Sequence, residues 1–401
     1  MKLLIRIYIL AFLLTIISFS FAESIDDNLL TIAKGNNIFG LDLYQVLTVK
    51  EDGNIFISPY SISSALAMTY AGANGNTKKQ MAEVLYFNLP DNELHYAFSK
   101  LNSIFNTPKP DFQLAIANSL WGQINYPFRE DFIELIKKYY SAGFNLVDFV
   151  NDLNREKARN EINKWVEDRT NQKIKELIQK GDLTSLTRLV LVNAIYFKGK
   201  WKYTFNKEET KEMPFFIDEK RTSKVPMMHQ VNEFNYYEDK DLQAIELPYS
   251  GDELSMIVIL PKERTLSKFE KNLNYTLLDK INTNLKKEEI EIYFPKFKIE
   301  KRYILNEPLI KLGMSDAFDD MLADFSTMTG SRDLYISKVI HQSFIEVNEE
   351  GTEAAAATAV IMSGKSISLG PKIFKADHPF LFFIIHKPTN TILFMGRFIE
   401  P

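Results

Sequence analysis

The chain changes its hydrophobic rhythm about halfway along. The first half carries apolar residues at helical spacing. Ser58 and Pro59 supply an N-cap and a first-turn proline, Ile62, Leu66, Ala67 and Tyr70 follow on one face, and Gly72 is expected to end that helix. Thr77 with Gln80 reads as a capping box for the next helix, and Phe128 to Ser141 and Asn154 to Thr170 read as amphipathic helices. The second half turns to strands. Leu189 to Phe197 is an almost unbroken apolar run, the pattern of a strand buried on both faces. Leu254 to Leu260, Glu289 to Phe297 and Leu334 to Asn348 predict further strands. Phe380 to Ile385 and Ile392 to Phe398 predict a hairpin around Lys387-Pro388-Thr389-Asn390. Helices and strands do not alternate regularly, so the expected class is α+β with large mixed sheets.

Two polar residues break the apolar runs. Asn193 interrupts the 189–197 strand, and His341 lies between Val339-Ile340 and Phe344-Ile345. A buried polar group left unpaired costs about 1–3 kcal/mol. These two are therefore expected to pair with each other or with hydroxyls such as Ser58 and Ser61. A polar latch between strands can open and re-form, whereas a close-packed apolar seam parts less readily.

One segment follows neither rhythm. Gly351 is followed by Thr352, Glu353, Ala354, Ala355, Ala356, Ala357 and Thr358, and the only basic residue downstream within fourteen positions is Lys365, next to Ser366. Small side chains lose little rotamer entropy on ordering. At period two, Thr352, Ala354, Ala356, Thr358, Val360 and Met362 share an uncharged face, with Glu353 on the other. Such a segment can serve as a loop in one state and a packed strand in another. Read alone, the alanines equally suit a surface helix.

Composition narrows the chemistry. The chain has 401 residues, 45% hydrophobic, 25% charged and 13% aromatic, which is a globular balance. A net charge of -4 gives no reason to expect nucleic acid. There is no cysteine, which excludes disulfides, thiolate metal sites and thiol catalysis. The five histidines, His95, His229, His341, His378 and His386, show no HExxH spacing, and there is neither a Gly-x-Ser-x-Gly elbow nor a phosphate-cradling glycine loop. No catalysis, metal or cofactor is expected. The basic clusters Lys137-Lys138 and Arg155, Lys157, Arg159 are short. They read as solvated faces and leave a glycosaminoglycan site possible but unsupported.

Met1 to Ala22 reads as a secretory signal: Lys2 and Arg6, an apolar Ile7 to Phe19, then Ser20-Phe21-Ala22 before Glu23. No later stretch suits a membrane span. Asn274-Tyr275-Thr276 is a glycosylation sequon. A secreted, extracellular glycoprotein is expected.

The accumulated motifs resemble the serpin family of serine protease inhibitors over essentially all of Asn37 to Glu400. The segments that carry the likeness are Asn54 to Ile62, Asn193 to Trp201, Val225-Pro226-Met227-Met228 and Phe374 to Phe382. The resemblance implies one domain, residues 23–401, of three β-sheets and eight or nine helices with an exposed reactive loop at about 349–373. It places Ser58, Ser61, Asn193 and His341 in the family's shutter and Trp201 in its breach. It makes the segment Glu349, Glu350, Gly351 to Thr358 the hinge of the loop. The hinge matches the small-residue pattern of inhibitory members. Counting along it puts the scissile bond at Lys365-Ser366. The implied activity is that of a monomeric suicide substrate that traps a trypsin-like serine protease covalently. The alternative is a non-inhibitory member acting as a carrier or binding protein.

Overall fold

The structure is a computed structural model that describes residues 26–140, 143–352 and 370–401. The signal reading, the hinge residues from Glu353 to Thr358, and the Lys365-Ser366 bond lie outside the described residues.

The first half is largely helical: α1 (Asp27–Thr48), β1 (Ile55–Ile57), α2 (Pro59–Tyr70), α3 (Gly75–Leu85), α4 (Asp91–Asn106), β2 (Phe112–Gln123), α5 (Glu130–Tyr140), β3 (Gly143–Val147) and α6 (Asp152–Arg169). Then come β4 (Leu189–Lys200), β5 (Lys211–Phe216), β6 (Thr222–Glu238), β7 (Leu242–Pro248), β8 (Leu254–Pro261), α7 (Ser267–Glu270), α8 (Tyr275–Asn284), β9 (Lys286–Pro295) and β10 (Phe297–Ile304). The chain closes with α9 (Asn306–Leu312), α10 (Ser326–Thr329), β11 (Lys338–Asn348), β12 (Gly351–Thr352), β13 (Lys372–Lys375), β14 (Phe380–His386) and β15 (Thr391–Phe398). Among the described residues α7 and α10 are single turns of four residues, which leaves eight longer helices.

Among the described residues, hydrogen bonding joins the strands of the expected sheets into two networks. One has six strands in the order β10-β11-β12-β4-β2-β3. The other has nine, β1-β15-β14-β8-β7-β6-β9-β13, with β5 on β6. The fusion has a simple cause. The long β6 pairs with β5 and β9 along its first part and with β7 through Asn235 to Glu238, so it belongs to two sheets at once. The principal core fills the space between the two networks, and a smaller core lies between α6 and the outer face of the six-stranded sheet.

α2 runs through the principal core, and all twelve of its residues are buried. That explains its small side chains, Ser61, Ser63, Ser64, Ala65 and Ala67, which let two sheets close on one helix. Its start is as predicted: the Ser58 hydroxyl accepts from Ser61 N–H at 3.2 Å, with Pro59 at the first helical position. Its end is not. The cap residue is Ala71 in the right-handed region. Gly72 is needed for space, since a Cβ there would lie 2.1 Å from Met328. The capping-box reading of Thr77 and Gln80 also fails. Asn74 caps α3 instead, Thr77 accepts from Asp324 N–H at 2.9 Å, and Gln80 donates to Asp316 at 2.8 Å. Both residues tie α3 to a distant segment, a use that local spacing does not reveal. The hairpin of β14 and β15 forms as predicted, around a turn where Asn390 adopts φ 52°.

Candidate functional site

The site is the seam between β4 and β11. These strands pair in parallel, Lys338 to Phe344 against Val190 to Tyr196. β11 then runs on to Asn348, the chain turns through Glu349 and Glu350, and it comes back as β12. Gly351 lies opposite both Asn348 and Lys200, and Thr352 opposite both Val347 and Gly199. The hinge thus already wedges two residues between the strands, antiparallel to each.

Gly351 has φ 150°, and a Cβ there would sit 2.0 Å from the Gly199 carbonyl oxygen. No other residue type fits without moving β4. Thr352 is fully buried, with its hydroxyl 2.8 Å from the Tyr249 hydroxyl. It faces the principal core, as the period-two reading of the segment requires.

Trp201 holds the turn. Its indole Nε1–H donates to the Asn348 carbonyl at 3.0 Å, and its backbone N–H donates to the Glu350 carbonyl at 3.0 Å. Its ring stacks on Tyr249 at 4.6 Å, so one aromatic pair carries both the turn and the Thr352 contact. The two glutamates are anchors, a role sequence reasoning missed because their partners lie far away along the chain. Glu349 meets Lys296 at 2.9 Å and accepts from the Thr210 hydroxyl at 2.9 Å, and Glu350 meets Lys207 at 2.6 Å. Burial pushes the Glu349 carboxyl up, but hydrogen bonds from Lys296 and Thr210 outweigh it and hold the group below its ordinary value.

Below the wedge, a row of polar residues crosses the sheet. Asn118 of β2 pairs with Asn193 of β4, Asn193 with His341 of β11, and His341 with Tyr303 of β10. The protons can be assigned from the partners. His341 Nε2 accepts from Ser58 N–H at 3.2 Å, so Nδ1 carries the hydrogen and donates to Asn193 Oδ1. The Asn193 amide donates to the Ser61 hydroxyl at 2.6 Å and to Asn118 Oδ1. The Asn118 amide donates to the Ser61 carbonyl at 3.1 Å, and the Ser58 hydroxyl to the Leu393 carbonyl at 2.6 Å. Burial pushes His341 down to about 3, so the ring is neutral at physiological pH.

All four residues expected in the latch, Ser58, Ser61, Asn193 and His341, are therefore brought together. Asn118 is the member that sequence reading missed. Its signal is an asparagine inside the apolar run Leu114 to Trp121, a strand set among helices. The His341–Asn193 hydrogen bond spans the two strands of the seam directly, so it must break if the seam parts.

The remaining candidates stand apart. Asn274 is exposed at the N-cap of α8, where its side chain accepts from Leu277 N–H at 3.0 Å. Arg155 and Arg159 pair within their own helix, with Asp152 and with Glu156 at 3.0 Å. Among the described residues no group of three acidic or histidine side chains is arranged to hold a metal, and no helix is long and apolar enough to cross a membrane.

Comparison with known proteins agrees with the geometry. A sequence model of the family described as "Serpin (serine protease inhibitor)" matches residues 34–401. Leukocyte elastase inhibitor of Equus caballus is 45% identical over 381 residues, covering 92% of this chain and 99% of that protein. The structure of uncleaved ovalbumin superposes with a TM-score of 0.84 at 31% identity, covering 92% of this chain and all of that one. Human thyroxine-binding globulin complexed with its hormone gives 0.85 at 33% identity, covering 93% and 99%.

Two outcomes follow from these contacts. Glu349→Gln removes the charge that meets Lys296. Lys296 is 36% exposed, so water recovers part of the loss, and the expected cost is about 1 kcal/mol in urea unfolding. His341 binds a proton near 6.5 in the unfolded chain and only near 3 in the fold. Between those values the unfolded chain takes up a proton that the fold refuses, so stability falls as pH drops. Urea midpoints at pH 7.5 and 4.5 are expected to differ more in the parent protein than in His341→Gln. Equal differences would mean that the ring is not held neutral.

Proposed function

The chain belongs to the serpin family, and on that premise we propose that it is a secreted inhibitor of trypsin-like serine proteases, cut at Lys365-Ser366. Members of this family form covalent complexes with serine proteases. The observation that carries the inhibitory reading is the wedge. Gly351 and Thr352 are already seated between β4 and β11 in the direction an inserting strand would follow. The small residues that follow carry nothing that would stop it.

In this reading Lys365 enters the protease's specificity pocket, where a buried carboxylate pairs with its ammonium. The protease serine attacks the Lys365 carbonyl carbon. The bond to the Ser366 nitrogen breaks, and that nitrogen leaves as an amine carrying a proton from the protease histidine. The freed segment inserts behind Thr352. Continuing the register of β12 sets Met362 opposite Leu189, at the far end of β4. It also brings the Thr358 hydroxyl between Asn193 and His341, the two groups whose bond insertion breaks. Fourteen residues from Thr352 to Lys365 span about 46 Å at about 3.3 Å each, enough to carry the acylated protease towards the opposite pole. Its active site is deformed before water can release it. The uncut state persists behind a kinetic barrier. The chain has no catalytic role of its own.

Met1 to Ala22 supports secretion, and the exposed sequon at Asn274 supports glycosylation of the secreted form, with residues 23–401 as one domain. A second reading of the target comes from the relatives named leukocyte elastase inhibitor. An elastase pocket is small and does not suit a lysine. Such an enzyme would have to cut elsewhere in the loop; the other candidate cut site, Met362, suits a chymotrypsin-like enzyme and shortens the inserted strand. A carrier role is the other alternative, because ovalbumin and thyroxine-binding globulin share the fold. The hinge composition weighs against it.

Mixing the secreted protein with active trypsin and running a denaturing gel is expected to give a boiling-resistant band near the summed masses. The released C-terminal peptide should begin at Ser366. A start at Ser363 would move the bond to Met362, and clean cleavage without the band would favour the carrier. Thr352→Arg would drive a guanidinium against Tyr249 in the core, and the variant is expected to be cut as a substrate with little complex formed. Unchanged trapping by that variant would sink the insertion mechanism. Lys365→Ala is expected to abolish complex formation with trypsin, read on the same gel.

A further inference from the structure

The outer face of the seam is covered by one continuous element with footings on both sides of it. α6 stands on the β2–β4 side. Ala158, Ile162 and Val166 share a core with Ala117 and Trp121 of β2, Val147 of β3 and Val190, Val192 and Ala194 of β4, and Trp165 meets Trp121 edge to face at 6.1 Å. The segment after α6 then crosses to the β11 side, where Ile174, Leu177 and Ile178 share a core with Ile340 and Phe344.

The two parts are tied to each other. Asn163 of α6 accepts from Ile178 N–H at 2.8 Å and donates to the Ile178 carbonyl at 2.9 Å. The far footing adds an ionic tie to its apolar contact. One oxygen of the Asp182 carboxylate takes the Lys338 ammonium at 2.9 Å, and the other takes the Arg302 guanidinium. Arg302 Nε also donates to the Leu177 carbonyl at 2.7 Å. Asp182 and Arg302 are largely buried, with side chains 10% and 17% exposed. Lys338 lies opposite Val190, so it is the first residue of the seam, and Arg302 lies on β10, which moves with β11.

We propose that Asp182 is the positioning residue that sets how readily this seam opens, by pinning the α6 element across it to Lys338 and Arg302. Opening the seam by one strand width moves β10 and β11 about 4.8 Å from β4. α6 and its trailing segment cannot follow both sides, so one footing must let go. The α6 footing is apolar and close-packed over three strands' worth of side chains, and its loss would expose all of it to water. Release on the Asp182 side frees three charged groups that water can solvate once they part, and uncovers only the smaller apolar contact of Ile174, Leu177 and Ile178 with Ile340 and Phe344. The Asp182 side is therefore the footing that yields.

A second observation sits under the same strap. Gln342 of β11 donates to Glu300 at 2.9 Å, but its side-chain carbonyl oxygen is buried without a hydrogen-bond partner. The closed seam keeps an unsatisfied acceptor beneath the element that holds it shut. Opening lets water reach that oxygen.

The consequence for inhibition rests on the insertion reading above, but the opening itself can be measured without a protease. Amide hydrogen exchange is compared in the uncut parent and in Asp182→Asn, which keeps the shape and removes the charge. Seam amides from Val339 to Phe344 are expected to exchange about tenfold faster in the variant, as when a charge-assisted bond holds the closed state alone. Amides of the β8–β14 pair around Ile257 and Phe383 should be unchanged. Unchanged seam exchange, or a rise spread equally over both sheets, would overturn the proposal. If Asp182→Asn fails to fold, Lys338→Gln removes the other end and carries the same expectation. With trypsin, the variant should need fewer inhibitor molecules per trapped enzyme. Faster seam exchange without any complex in the parent or the variant would uphold the strap and reject the inhibitory reading.

Discussion

Everything in this molecule depends on a parallel strand pair at the centre of a sheet that is otherwise able to accept another strand. Between Lys338 and Phe344, β11 bonds directly to β4 in parallel. Parallel ladders have slanted hydrogen bonds and are slightly weaker per residue than antiparallel ones. A strand entering behind β12 would be antiparallel to both neighbours and would replace one parallel ladder by two antiparallel ones. On the proposed insertion, the described fold is short of one ladder that its own sequence can supply. On that mechanism, the uncut form persists only as long as the seam stays shut.

The seam is held by devices of different kinds. At its upper end, Trp201, Tyr249, Glu349 and Glu350 fix the turn, and Gly351 with Thr352 occupies the first two places of the new strand. In the middle, His341 and Asn193 exchange a hydrogen bond that an incoming hydroxyl can take over. A fully apolar row would pack as well, but it would offer no such exchange. The buried row is satisfied by Ser58, Ser61 and Asn118, so its cost is met in the closed state and the partners remain in place for the open one. The histidine suits this because burial keeps it neutral and leaves one nitrogen to donate and one to accept.

Much of this was legible in the sequence, and what was not has a common reason. Asn193 and His341 stood out because each is polar inside an apolar run. The small residues after Gly351 stood out because they fit neither half of the chain. Asn118 escaped because its strand was not recognised among the helices of the first half. Gly72 and Thr77 were read as helix punctuation when their work is to meet Met328 and Asp324, both far along the chain. The anchoring of Glu349 and Glu350 by Lys296 and Lys207, and the fusion of two sheets along β6, are likewise long-range pairings. Periodicity records which face of an element is buried. It does not record which distant residue lies against that face.

The central claim is that the uncut chain is a trapped state that gains a strand when its loop is cut. The most direct test is the thermal unfolding midpoint of one preparation before and after cleavage of the loop at Lys365-Ser366, with both fragments retained. The account predicts a large rise after cleavage, because a severed loop that has joined the sheet replaces one parallel ladder with two antiparallel ones. An unchanged or lower midpoint would show that cutting only nicks a surface loop, and would contradict the account.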